Sequence, residues 1–182
     1  VLMETRSNMP VDADLPQSLL RMIDQPQYLL EANVRVERSA VRAFAAATEN
    51  ANPMYWDVDQ SIAVCGGEPA PTAMLSAWCR PEPWSPSDRQ SFKALQLHYD
   101  LKESLGYPTA VVVDLESIFL EPVFVGDQLK SRQILRSVSS VKDTRLGRGR
   151  FWVIEVEYLN QRDQRVGVER FSCFGYLKGD GL

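Results

Sequence analysis

The sequence predicts an α+β domain: a curved antiparallel sheet wrapped around one buried helix. Two observations predict it. From Thr109 onward the chain alternates apolar and polar residues in long runs, as strands with one buried face do. Ahead of those runs, Thr72 to Cys79 is apolar nearly all round through Ala73, Met74, Ala77 and Trp78, the pattern of a helix enclosed by a core. Long strands joined by hairpins leave no crossover helix, which excludes a parallel sheet.

The elements follow in order. The chain has 182 residues, the length of one domain. Residues 1–29 read as an N-terminal arm, polar and without pattern over 1–14, then a short helix within Pro16–Asp24. The domain proper is expected over 30–178. Ala32–Glu37 alternates as a strand would, with Val34 and Val36 on one side. Ser39 is placed to N-cap a helix reaching Thr48, with Val41, Phe44, Ala45 and Thr48 on one stripe. Asn50, Asn52 and Pro53 break that pattern into a loop, and Pro69-Ala70-Pro71 opens the buried helix. Residues 80–108 hold Pro81, Pro83, Pro86 and Pro108 and read as an insertion over the ligand side, with a helix expected from Ser87 to Leu105. Four long strands follow. The first runs through Val111, Val113 and Leu115 to Phe119, and the second is Gln128–Val138. The third alternates Trp152, Ile154, Val156 and Tyr158. The last alternates Val166, Val168, Phe174 and Tyr176, after a turn at Asn160–Gln164.

Composition removes several function classes. Apolar residues are 45% and charged residues 24%, ordinary for a globular protein. No apolar run approaches the ~18 residues of a membrane span, and no signal peptide is visible, so a cytoplasmic protein is expected. Cys65, Cys79 and Cys173 are too sparse for a disulfide framework. With one histidine, His98, a metal site lacks ligands. A net charge of −4 disfavours nucleic acid. The charge is uneven. Lys130, Arg132, Arg136, Lys142, Arg145, Arg148 and Arg150 with the single acid Asp143 carry +6, leaving −10 on the rest. Such a strip suits a small anionic ligand or an acidic partner, or is a solvated hairpin.

A family resemblance is carried by a series of segments. They are Arg42-Ala43-Phe44-Ala45-Ala46-Ala47-Thr48, Asn50-Ala51-Asn52-Pro53, Tyr55-Trp56-Asp57, Ala70-Pro71-Thr72-Ala73-Met74-Leu75 and Glu121-Pro122-Val123-Phe124-Val125-Gly126-Asp127. In this order they resemble the MaoC-like hot-dog dehydratases and hydratases. Lys142-Asp143-Thr144-Arg145 with Gly147, Gly149 and Phe151 resembles the N-terminal-half, non-catalytic type found in heteromeric enoyl-CoA hydratases. The resemblance covers about residues 30–178 and implies a hot-dog fold, with the Thr72 helix as its central helix.

That family's loop is Asp-x-Asn-Pro-x-His-x-Asp, whose Asp and His form the catalytic pair. Hydrating an α,β-unsaturated thioester needs a base for the water and an acid for the α-carbon. Here the two positions are Asn50 and Tyr55, while Asn52, Pro53 and Asp57 remain as loop-forming residues. An amide takes no proton at neutral pH, and a phenol with a pKa near ~10 is a poor base. No catalytic role is therefore assigned to this chain's own loop. His98 has no partner in sequence and reads as a packing or surface residue.

The resemblance implies a non-catalytic subunit of an enoyl-CoA hydratase or 3-hydroxyacyl dehydratase. A second hot-dog chain with an intact Asp-x-Asn-Pro-x-His loop would supply the pair, in a hetero-oligomer. This chain would shape the tunnel for a bulky acyl group, steroid side-chain thioesters being one class such pairs use. No cofactor is implied; coenzyme A arrives as part of the substrate. Thr72, at the helix N-terminus, suits the thioester carbonyl, and Lys142, Arg145, Arg148 and Arg150 suit coenzyme A phosphates. Two alternatives stay open: a homodimer that binds acyl-CoA or scaffolds without turnover, and a self-sufficient thioester enzyme using Asp57 or Glu49.

Overall fold

The structure, a computed structural model, describes residues 14–82, 84, 86 and 93–178. Most of the expected N-terminal arm and the first part of the expected Ser87–Leu105 helix fall outside those residues. The helices are α1 (Gln17–Met22), α2 (Arg38–Ala47), α3 (Val58–Cys65) and α4 (Gln96–Ser104). Two 3₁₀ segments, Pro53–Tyr55 and the central helix Thr72–Cys79, lie between α2 and α4. The strands are β1 (Pro26–Glu31), β2 (Thr109–Phe119), β3 (Lys130–Val138), β4 (Lys142–Thr144), β5 (Gly147–Leu159) and β6 (Arg165–Leu177). They form one antiparallel sheet in the order β1-β3-β5-β6-β2, with β4 beside β5. This is the predicted α+β sheet.

Several local expectations are corrected. The first strand is Pro26–Glu31, not Ala32–Glu37. Residues 32–37 are a connection, bent at 33–34 and tied down by Ala32 N–H to Leu129 O and Val36 N–H to Asp127 O, both 2.9 Å. Its alternation is real only in part: Val36 is buried but Val34 is half exposed. Helix α2 starts one residue before Ser39, with Glu37 as N-cap, and Ser39 Oγ donates to Glu37 Oε2 at 3.3 Å. The central helix is wound as 3₁₀, a tighter form used in short pieces. Its Met74, Leu75, Trp78 and Cys79 are buried, while Thr72, Ala73 and Ala77 face outward. The three-residue strand β4 is additional to the four long strands expected.

Register settles which side chains share the inner face, since residues paired across antiparallel strands point the same way. Leu115, Phe171, Ile154 and Leu135 form one row. Ser117, Glu169, Val156 and Gln133 form the next, and Phe119, Gly167, Tyr158 and Ser131 a third. The helices cover this face in two halves. Val41 of α2 and Met74, Leu75 and Trp78 of the central helix pack over one half. Leu19 of α1 and Leu97 and Leu101 of α4 pack with Leu135, Trp152 and Ile154 over the other. The buried Gln133 anchors α4: its Oε1 accepts Leu97 N–H at 2.9 Å, and its Nε2 donates to Ala94 O at 3.4 Å. Leu95 and Phe171 pack against both clusters and mark the seam.

The opposite face carries an ion-pair ladder. Arg170 pairs with Glu116 on β2 and Glu155 on β5, and Arg136 joins Glu155 to Asp24. Beside it, Glu157 pairs with Arg132 and Arg165. Arginine stems over the sheet let Ile134, Val153 and Val168 stay buried there.

Candidate functional site

The loop after α2 is built from its own polar side chains. Glu49 takes a left-handed backbone, φ 53°, and turns the chain out of the helix. Asn50 Oδ1 accepts Asn52 N–H at 3.0 Å, an Asx turn. Asn52 Oδ1 accepts Met54 N–H at 3.1 Å and so caps the 3₁₀ turn, with Pro53 at its first position. Trp56 Nε1 donates to Asn50 O at 2.8 Å and pins the two arms. Asp57 then caps α3, its Oδ1 accepting Gln60 N–H and its Oδ2 accepting Gln60 Nε2, both 3.1 Å. Asn50, Asn52 and Asp57 therefore serve the backbone. Glu49 and Asp57 are both exposed.

Asn50 and Tyr55 open on different concavities. Asn50, Glu49 and Asp57 line a shallow surface hollow of about 500 Å³. Tyr55 lines a second pocket of about 200 Å³, whose other walls include Thr72, Leu75, Trp78, Phe119 and Val166. Thr72 begins the central helix behind Pro71, with no side-chain cap. The first N–H groups of a helix have no partner within it. Tyr55 and Thr72 thus share a mostly apolar pocket whose lining carboxylate is Glu121 and which has no imidazole among the described residues. Cys65 also lines this pocket, its thiol 3.2 Å from Met54 Sδ.

The basic strip divides. Lys130 pairs with Asp163, while Arg132 and Arg136 belong to the outer ladder. Arg150 donates to Ser139 O at 2.8 Å and hydrogen-bonds Tyr107, bracing the hairpin base. Lys142, Arg145 and Arg148 are exposed on the β4–β5 hairpin. The two hairpin glycines serve the sheet: a Cβ on Gly147 or Gly149 would run into the β6 backbone at Leu177 O or Gly175 O. The hairpin stands at the start of β5, and the Thr72 pocket at its far end, where Leu159 meets Arg165. Twelve residues at ~3.3 Å put them up to about 40 Å apart. The structure does not bring Thr72 together with Lys142, Arg145, Arg148 and Arg150.

His98 sits on α4, buried, its ring centroid 5.5 Å from those of Trp152 and Tyr99. Burial, then the Lys102 charge, hold its pKa below the usual 6.5. It packs in the half of the core away from the Thr72 pocket.

A third cavity, about 210 Å³, lies at the seam between the central helix and α4. Its walls include Cys79, Leu95, Leu115, Phe171, Tyr158 and Glu169. Tyr158 OH donates to Glu169 Oε2 at 2.9 Å. Burial, then the Glu169 carboxylate, push the phenol far above its usual range. Burial also lifts the Cys79 thiol to about 12, against a hydrogen bond from Ser131. Glu169 escaped sequence reasoning because alternation through Val166 and Val168 assigns it to solvent. Its register opposite Ser117 and Val156 turns it inward.

A sheet wrapped on a short central helix, with the Asn-Pro loop beside that helix's N-terminus, defines a hot-dog domain of the dehydratase kind. The comparisons agree. Residues 28–168 match the FAS1-like dehydratase domain region, and the chain belongs to this family. Over 146 residues it is 30% identical to a probable enoyl-CoA hydratase alpha subunit of Thermomonospora curvata. That match covers 75% of this chain and 43% of the relative, so the chain spans less than half the relative's length. Among solved structures it resembles the ChsH1–ChsH2 complex from Mycobacterium tuberculosis, with TM-score 0.73 and 21% identity over 91% of this chain and 93% of that one. It also resembles the HadBC (3R-hydroxyacyl-ACP dehydratase) complex of the same organism, with TM-score 0.51 and 18% identity over 84% and 97% of the two chains. Both of those structures are complexes named for two components. Among the described residues, no helix is long and apolar enough to cross a membrane.

Proposed function

We propose that this chain is the non-catalytic subunit of a heteromeric enoyl-CoA hydratase or 3-hydroxyacyl dehydratase. A partner hot-dog chain with an intact Asp-x-Asn-Pro-x-His loop supplies the acid and base. The observation that carries this reading is the loop: Asn50 and Tyr55, at the positions the family resemblance gives to the catalytic pair, open on separate hollows while the fold of the loop is intact. The similarity to a hydratase alpha subunit supports it.

In this reading the Thr72 pocket receives acyl-CoA, and the uncapped helix N-terminus faces the thioester carbonyl. The short central helix and the two cavities of about 200 and 210 Å³ along it favour a bulky acyl group, steroid side-chain thioesters among them. The exposed Lys142, Arg145 and Arg148 hold phosphates only of a coenzyme A whose acyl end lies in the partner, given their distance from Thr72. The assembly works in the cytoplasm.

The test is reconstitution. Enoyl-CoA hydration is followed by loss of the enoyl thioester absorbance for this chain, a co-purifying hot-dog chain, and the two mixed. Activity of the mixture that disappears when the partner's loop histidine is replaced is expected. Ordinary enzyme turnover by this chain alone would refute the reading.

A further inference from the structure

The seam cavity is not accounted for by the loop, the Thr72 pocket or the hairpin. It lies farther along the same inner face. Phe119 and Val166 line the Thr72 pocket, while Leu115 and Glu169 line the seam cavity. Along β2 that is four residues, and along β6 three, which at ~3.3 Å each is about 10–13 Å. Between those positions stands Leu75, seated on Gly167, where an added Cβ would come within 2.5 Å of Leu75 Cδ2. The two cavities therefore form successive compartments under one helix, with a leucine side chain between them.

Their linings differ in chemistry. The Thr72 pocket is mostly apolar. The seam cavity has apolar walls at Leu95, Leu115 and Phe171, and a hydrogen-bonding end at Tyr158 and Glu169. An apolar cavity of ~150 Å³ takes a benzene ring, so this volume accepts a ring-sized group. Glu169 is half-buried on the inner face, where a carboxylate is uncommon. Among the described residues, Glu169 receives one hydrogen bond, from Tyr158, whose single proton is thereby committed. What the pair still offers is acceptor capacity: the second carboxylate oxygen and the phenol lone pairs. Other donors line the cavity, among them Ser131, engaged with Cys79, and Arg80, which is exposed and, among the described residues, forms no ion pair with Glu169.

We propose that the seam cavity is a distal subsite that recognises a hydroxyl on the acyl group, about 10–13 Å from the thioester, through Glu169 positioned by Tyr158. The proposal rests on the acyl-CoA reading above and specifies the substrate within it: an acyl chain bearing a remote alcohol. A remote ketone lacks the proton that Glu169 accepts and is disfavoured. A hydrocarbon end leaves the carboxylate without a second partner.

The test uses three saturated thioesters of matched length: decanoyl-CoA, ω-hydroxydecanoyl-CoA and the corresponding methyl-ketone thioester. Each is titrated calorimetrically into the full chain, alone and with its co-purifying partner. The hydroxy thioester is expected to bind about tenfold tighter or better than the other two, the scale of one hydrogen bond to a charged group. Glu169→Gln and Tyr158→Phe, each checked for an unchanged circular dichroism spectrum, are expected to cut that preference to about threefold or less while decanoyl-CoA binding stays within about threefold. Equal binding of the three thioesters to the parent chain overturns this proposal alone. So does a preference that survives Glu169→Gln, or a preference for the ketone. Failure of every thioester to bind overturns the acyl-CoA reading and this subsite with it.

Discussion

The ion-pair ladder on the outer face is open to a sharp test at Glu157. Its side chain is 4% exposed and faces three guanidinium groups: Arg132 at 2.7 Å, Arg165 at 3.1 Å and Arg136 at 3.7 Å. Glu157→Gln keeps the shape and removes the charge. Breaking a fully buried pair costs about 3–5 kcal/mol. The arginines here are 24–53% exposed and recover water, so a loss of about 2–3 kcal/mol is expected. For a chain of this size that lowers Tm by about 4–12 °C. Glu157 also carries a pH signature. Burial pushes its carboxyl up, but Arg132 and Arg165 pull it further down, to below the usual 4.5. A carboxyl with a depressed folded value contributes its full stability above the unfolded value. The contribution is lost as pH falls below about 4.5 and through the folded value. The Tm gap between parent and variant, read by circular dichroism melting, should be widest at neutral pH and close in acid. Glu116→Gln at the ladder's end, 53% exposed, should shift Tm by no more than about 2 °C. A neutral-pH gap below about 1 °C, or one that persists in acid, would refute the reasoning.

Two further outcomes follow from the geometry. His98 is the only histidine, so its proton resonances should titrate below the usual 6.5. The folded chain binds that proton less readily than the unfolded one, so stability should fall as pH drops below about 6.5. The slope is at most about 1.4 kcal/mol per pH unit, and His98→Phe should flatten it in urea melts; a flat parent profile counts against the placement. Tyr55→His puts an imidazole in the Thr72 pocket without a partner from position 50, which opens elsewhere; the carboxylate that lines the pocket, Glu121, is exposed to solvent. Hydration by the isolated variant should rise less than about tenfold, against the ~10²–10⁴ of a working acid–base group, and a larger gain would show that one residue completes the site.

Legibility in the sequence tracked how local the determining physics is. The alternation of Trp152, Ile154, Val156 and Tyr158 is a property of consecutive residues, and β5 has that inner face. The turn at Asn160–Gln164 was equally local: Asn160 Oδ1 accepts from Arg162 and Gln164 N–H. Strand β1 was misplaced because Pro26 opens it, Tyr28 has φ 53°, and the register slips between Gln27 and Leu30, which together erase a period of two. The helical winding of Thr72–Cys79 has no signature in side-chain hydrophobicity. For Lys130, Arg132 and Arg136 of the basic strip the determining contacts are distant instead. Their neutralising acids, Asp24, Glu155, Glu157 and Asp163, lie outside the strip and meet them only through the folded sheet. Glu169 and Tyr158 became a pair through strand register, which periodicity alone does not fix.

In the proposed reading the loop keeps its fold without its chemistry, and this has a physical cause. Position 50 uses a side-chain oxygen to hold Asn52 N–H, and asparagine and aspartate both provide one. Exchanging Asp for Asn there leaves the turn's hydrogen bond in place while removing a proton acceptor. Position 55 contributes to the wall of the Thr72 pocket, where a phenol ring fills space as an imidazole does and adds apolar surface. Neither change disturbs the Asn52 cap, the Pro53 start of the 3₁₀ turn, or the Asp57 cap of α3. Stability therefore places no demand on these two positions beyond what Asn50 and Tyr55 already meet. Holding the loop, the central helix and the pocket in shape without a proton-transfer pair fits a chain that forms one wall of a shared site. In the function proposed above, this wall sets which acyl group is admitted, and the chain opposite carries out the hydration.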